Sequence, residues 1–168
     1  MNPGRHLTAI ATLIGVFSAM APRVSAQSAN VTLSANVFQA ITVSGTQTLA
    51  FGNVFPGVNK TIPPTAGANN GRFVVSGQAN ASISFTFTLP ANLVNGTNLL
   101  PVGTWTGRHN NVNNAGSGTA ITPSSTAVTT VLSATGFRYI FIGGTVSPAA
   151  NQAAGFYTAP ATLTVAYF

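Results

Sequence analysis

From Val31 onward the chain alternates. Val31, Leu33, Ala35 and Val37 form one row, and Thr32, Ser34 and Asn36 form the other. A period of two is the pattern of a strand with one face toward a core and one toward water. The alternation runs on through Ile41-Thr42-Val43, with Gln39 interrupting the apolar row. It returns over Ala81–Leu89, where Ile83, Phe85, Phe87 and Leu89 are interleaved with Ser84, Thr86 and Thr88. It returns once more at the end, where Ala161, Leu163, Val165 and Tyr167 stand opposite Thr162, Thr164 and Ala166. No 3.6-residue apolar period survives for three turns after Ala26, and the strand formers Thr, Val, Ile and Phe dominate.

Gly and Pro punctuate the rest at short intervals. Strands are predicted over Thr46–Val54, Val58–Ile62, Arg72–Ser76, Leu99–Thr106, Val128–Ser133 and Phe137–Ile142, with a brief one at Thr145–Ser147. The last strand is predicted over Phe156–Tyr167. Turns are expected at Phe55-Pro56-Gly57 and Asn92–Gly96, and Gly143-Gly144 is expected to bound the strand that ends at Ile142. Thr65–Gly71 and Pro148–Ala154 read as loops, and the polar stretch Gly107–Ser125 as a surface loop or irregular hairpin. Eight or so short strands in one domain predict an all-β protein, an antiparallel β-sandwich of immunoglobulin-like type with an N-terminal extension strand.

The first 26 residues stand apart from this pattern. A short basic start with Arg5 precedes the uncharged apolar run Leu7–Ala21, Pro22 breaks the run, and Val24-Ser25-Ala26 places small residues where a signal peptidase reads. The run is shorter than the roughly 20 residues that span a bilayer. A cleaved secretory signal is therefore expected over residues 1–26, with no integral membrane span afterwards. The predicted organisation is a signal over 1–26, an extension over 27–38 and a sandwich over 39–168.

Composition narrows the chemistry sharply. The chain has 168 residues, six Lys or Arg, and no Asp, Glu or Cys. Without side-chain carboxylates there is no acid–base pair and no calcium cage. Without Cys there is no thiolate nucleophile, zinc-thiolate site or disulfide. The high isoelectric point comes from missing acids, not from dense bases. Lys60, Arg72, Arg108 and Arg138 are isolated after residue 26 and form no nucleic-acid-binding stripe. His109 is the one histidine beyond the leader. It cannot build a metal site alone, and its setting in Arg108-His109-Asn110 reads as a solvated loop. The expectation is a non-enzyme with no cofactor, no metal and no nucleic-acid partner. Its stability should stay nearly constant from neutral pH to about pH 3, because acid unfolding comes mostly from protonating native carboxylates.

Four positions, Asn30, Asn59, Asn80 and Asn95, open N-x-Ser/Thr sequons, which occur by chance in a chain this rich in Asn and Thr. Trp105 reads first as a core residue, and with Arg108 nearby it is also a candidate ligand contact. A terminal Phe168 suggests an outer-membrane barrel strand. The phase is wrong for one, since Ala166, Thr164 and Thr162 share its face while the apolar row ends on Tyr167.

The last strand carries a more specific pattern. Gly155 is the fourteenth residue from the C-terminus and Tyr167 is penultimate. This resembles the C-terminal signature of chaperone–usher pilus subunits. Further motifs follow one another in order: Ile41-Thr42-Val43, Leu49-Ala50-Phe51-Gly52-Asn53-Val54 with Pro56-Gly57, Phe73-Val74-Val75-Ser76-Gly77, Ile142-Gly143-Gly144-Thr145-Val146 and Ala154-Gly155-Phe156-Tyr157. Together, over roughly Val37–Tyr167, they look like an exported bacterial domain-of-unknown-function family similar to pilins and spore-coat-protein-U domains. The chain departs from many pilins in lacking a Cys pair, and Pro160 sits where the last strand would ordinarily pair.

The resemblance implies a structural subunit of an extracellular filament, fimbria or surface matrix. Such a subunit passes through the periplasm to the cell surface, with a periplasmic chaperone and an outer-membrane usher as partners. It assembles head to tail with copies of itself by donor-strand complementation. Val31, Leu33, Ala35 and Val37 would be the donor residues, and Gly155, Ala161, Leu163, Val165 and Tyr167 would border the groove. An uncharged alternating segment near a free terminus fits that role, because it is a template for pairing. Two other readings of Ser28–Val37 stay open: the first strand of its own domain, or a disordered tail. The competing function is a monomeric secreted sandwich that binds glycan or acts as an adhesin through Trp105, Arg108 and the Gly107–Ser125 loop.

Overall fold

A computed structural model describes residues 25–168, so the leader expected over 1–26 lies almost wholly outside the described residues. The alternating run near residue 85 sits at the centre of one of two sheets. In chain order the strands are β1 (Thr42–Gln47), β2 (Lys60–Ile62), β3 (Gly71–Ser76), β4 (Ser82–Thr88), β5 (Asn92–Asn95), β6 (Asn98–Asn110), β7 (Thr119–Ile121), β8 (Val128–Val131), β9 (Phe137–Val146) and β10 (Thr162–Tyr167). A single 3-10 turn, Gly67–Asn69, precedes β3. No α-helix occurs among the described residues, and none of their helices is long and apolar enough to cross a membrane.

Every ladder is antiparallel. The larger sheet runs β1-β3-β9-β6-β5, with β2 paired to β9 and β7 to β6; the smaller runs β10-β4-β8. The protein is thus the all-β antiparallel sandwich that the alternation predicts. Its core is filled from both sheets. Val75, Ile140 and Ile142 come from the larger, and Ile83, Phe85, Phe87 and Leu163 from the smaller, with Leu132 beside them. Burying side chains of this size contributes about 1.5–3 kcal/mol each. Phe85 and Phe87 also meet edge to face at 5.9 Å. A second cluster of Leu100, Val102 and Val146 fills one end.

Several expected boundaries move, each for a local reason. Gly143-Gly144 does not end β9. The two residues are glycines because neighbours press on the strand. A Cβ at Gly143 would strike the Ile62 carbonyl oxygen, and one at Gly144 would stand 3.2 Å from the Trp105 ring. Asn92–Asn95 is a strand and not a turn. It forms the first arm of a two-residue hairpin at Gly96-Thr97, where Gly96 takes φ 59°.

The long β6 absorbs Gly107–Asn110, which the polar composition assigned to a loop. A register shift between Gly103 and Thr106 makes this possible. Before it the inward residues are Leu100 and Val102; after it they are Gly107 and His109, so an extra residue reverses the parity.

Segments expected as strand also shrink. β1 ends at Gln47, so Thr48–Val54 is irregular, with Gly52 at φ 62°. The last strand starts at Thr162; upstream, Thr158 makes an isolated bridge to Val94, and Pro160 cannot donate to a ladder. Residues 25–41 carry no strand. Alternation fixes which face of a segment could be buried, but a strand forms only where a second strand supplies hydrogen bonds. The sandwich lies within Asn36–Phe168.

Candidate functional site

Two neighbouring sheet edges form the candidate site. β10 pairs with β4 from Thr162↔Thr88 to Tyr167↔Ile83, and with no other strand among the described residues. The Phe168 N–H donates to Ser82 O at 3.4 Å. In an antiparallel ladder the backbone groups of successive residues point to opposite sides. Thr162, Thr164 and Ala166 therefore direct their N–H and C=O groups at β4. The corresponding groups of Leu163, Val165 and Tyr167 face the unpaired side. The side chains of those same three residues point into the sandwich, with Leu163 buried and the other two half-buried.

The edge strand of the larger sheet, β1, touches β10 and among the described residues pairs with β3 alone. Val43 lies opposite Val75, a core residue, and so shares its inward face, yet it is 37 % exposed. Ile41, Phe73, Ala161, Val165 and Tyr167 pack on the main core while remaining only partly buried. The core is thinly covered along this pair of edges.

Tyr167 closes one end of the pair. Its hydroxyl donates to Gln39 O and accepts from the Gln78 N–H, both at 2.7 Å. Its ring meets Phe38 edge to face at 5.4 Å. The hydroxyl rests against Gly77, where a Cβ would collide with it. Of the residues singled out for the groove, Ala161, Leu163, Val165 and Tyr167 are therefore brought into one row. Gly155 is not among them. It lies in the preceding loop at φ 152°, with the Asn95 side chain packed where a Cβ would be. Its glycine serves that close approach, not a strand.

The expected donor residues have no strand assignment, and Val31, Leu33 and Val37 are 82 %, 91 % and 88 % exposed. Ala35 is exposed as well.

Trp105 and Arg108 do not converge. Trp105 packs against both hydrophobic clusters. Arg108 points the other way and donates from Nη1 to Gly116 O (3.1 Å) and Gly118 O (3.0 Å).

His109 is not a solvated loop residue. It is buried on β6, with its ring edge to face with Phe85 at 5.8 Å. The signal in the sequence was slight: Gly107 and His109 follow Trp105, which packs on the core, at a spacing of two. Arg138, on β9, is buried too, and donates from Nη2 to Thr130 Oγ1 and Val131 O. His109 Nδ1 and Arg138 Nε have no hydrogen-bond partner. Burial, and then the Arg138 charge, lower the His109 pKa below its ordinary value, so the imidazole is neutral at pH 7. Burial also lowers that of Arg138. Neither has a carboxylate to orient or neutralise it, and no group of three metal-ligating side chains exists among the described residues.

No protein-family model matches the chain, and no curated protein matches it either.

Proposed function

We propose that this protein is a non-enzymatic structural subunit, exported and then assembled head to tail at the cell surface by β-strand addition. Residues 28–37 of one copy would lie along the unpaired edge of β10 in the next, with β1 as the opposite border. The observation that carries this reading is the edge itself: three residues whose backbone groups face no strand among the described residues, beside a core that is only partly covered. An incoming strand would satisfy the backbone, and its alternate side chains would cover the core. Val31, Leu33, Ala35 and Val37 supply apolar groups at the required spacing of two. Donation of this kind joins two different surfaces, so it propagates as an open filament. A periplasmic chaperone that occupies the same edge in transit, and an outer-membrane usher, fit this scheme.

The test is the size of the protein with and without its extension. Residues 27–168 are expected to form polymers in size-exclusion chromatography and electron micrographs, and residues 39–168 to run as a monomer. Polymers that persist after the deletion would remove donor-strand assembly.

A further inference from the structure

We propose that the outer face of the larger sheet carries a binding site for a carboxylate-bearing sugar chain, centred on Arg72 and Arg108. In the ladders, Arg72 of β3 stands opposite Phe141 of β9, and Phe141 stands opposite Arg108 of β6. Residues directly opposite share a face. Ile140 and Ile142 belong to the core, so this row lies on the outside of the sandwich. The two arginines are two strand spacings apart, about 10 Å between backbones.

The loop between β6 and β7 folds over the row. Arg72 Nη1 donates to Asn113 Oδ1 at 2.9 Å and its Nε to Thr46 Oγ1 at 3.0 Å. Arg108 holds the other end of the loop through Gly116 O and Gly118 O. A cavity of about 450 Å³ remains beside Arg72, with Phe141 among its walls and Asn113 and Asn114 at its rim.

Arg108 lines a neighbouring cavity with Thr61, Pro63 and Ile121, and the hydrogen-bond inventory of the two arginines and two asparagines along this face points to an anion. Arg72 and Arg108 meet only neutral oxygens, and the chain has no Asp or Glu to meet them. Asn113 Oδ1 is taken by Arg72, and Asn114 Oδ1 by the Gly116 N–H at 2.8 Å. What these residues still offer are donors: Nη2 of each arginine and Nδ2 of each asparagine, none of which bonds to a described residue. A carboxylate is the planar group that matches a guanidinium fork.

The same face continues down β9 with Tyr139 and Phe137, whose rings stack at 6.5 Å and 27°, and Asn110 stands opposite Tyr139. The Asn110 amide already donates to Asn114 O and Ser117 Oγ, so the match here is to aromatic faces in line with guanidinium donors, which suit sugar rings that are apolar on one side and polar at the rim. Two arginines are too few to track a phosphate backbone. An acidic glycan is therefore favoured over nucleic acid. The site does not involve β10 and stands or falls independently of assembly.

The test is titration of the intact chain, by calorimetry or by chemical-shift changes, with oligogalacturonate, with a neutral cello-oligosaccharide and with single-stranded DNA. Oligogalacturonate is expected to bind, to weaken with added salt, and to lose at least about tenfold in affinity in Arg72→Gln and in Arg108→Gln. Should either glutamine variant fail to fold, Asn114→Asp keeps the acceptor used by Gly116 while placing a negative charge at the rim, and is expected to lose binding as well. Absent binding of oligogalacturonate, equal binding of the neutral glycan or the DNA, or full affinity in these folded variants would each overturn the proposal.

Discussion

His109 and Arg138 put two basic side chains inside a sandwich whose chain contains no acidic side chain. The neutral imidazole is tolerated there because it packs against Phe85 and can shed its proton. Protonating it would bury a second positive charge near Arg138. The folded pKa thus lies below the unfolded value of about 6.5, with burial the larger cause and Arg138 the smaller. The unfolded chain then binds more protons than the native one as pH falls below about 6.5, so stability is complete above that pH and declines beneath it. The flat acid profile expected from the missing carboxylates acquires this one exception. Thermal melts should show a lower midpoint at pH 5 than at pH 7.5, and the difference should vanish in His109→Gln. An equal drop in that variant would assign the effect to another group. The residue was hard to find in the sequence because Arg108 and Asn110 flank it. Charge and polarity at the outward positions of a strand hide what the inward position does.

At the scale of elements, alternation marked β4 and β10 well, since both have one wet face and one buried face. It failed where both faces are covered. β9 is buried on its core face and again around Phe141, so its sequence lacks a polar row, and it is expected only over Phe137–Ile142 because its two glycines look like its end. β6 is expected only over Leu99–Thr106, and its continuation through Asn110 is hidden for a different reason: its register shift exchanges inward and outward positions midway, which erases the period. The extension teaches the opposite lesson. Residues 31–37 have the clearest alternation outside β4 and no strand. If they are the donor, an exposed apolar side chain there matters to assembly and not to the fold. Leu33→Lys is expected to leave the melting temperature of the monomer unchanged and to abolish polymer in size-exclusion chromatography. A destabilised monomer would mean that Leu33 packs within its own chain.

At the scale of the whole molecule, a filled sandwich carries two sheet edges that touch and that no further strand of the described residues pairs with. Long unpaired edges are usually protected by charge, proline or a covering loop. Here β10 has no charged residue, and Pro160 lies before it, not within it. The sandwich could be read from the strand count, the short punctuation and the absence of helical periods. The open edge could not, because strand order is set by contacts far apart in the chain. The C-terminal part of the resemblance to pilins rested on Gly155 and Tyr167, and these do separate jobs: Gly155 admits Asn95, while Tyr167 latches Gln39 to Gln78. In the proposed strand addition the contacts fall instead on Leu163 and Val165.

Amide hydrogen exchange at those two residues, and at Tyr167, tests strand addition most directly. In residues 39–168 alone their N–H groups should exchange rapidly while those of Thr164 and Ala166, bonded to β4, are protected. Adding a peptide of residues 27–38, or measuring the assembled protein, should slow exchange at Leu163 and Val165 as well. Rapid exchange at both residues in an intact polymer would contradict the account.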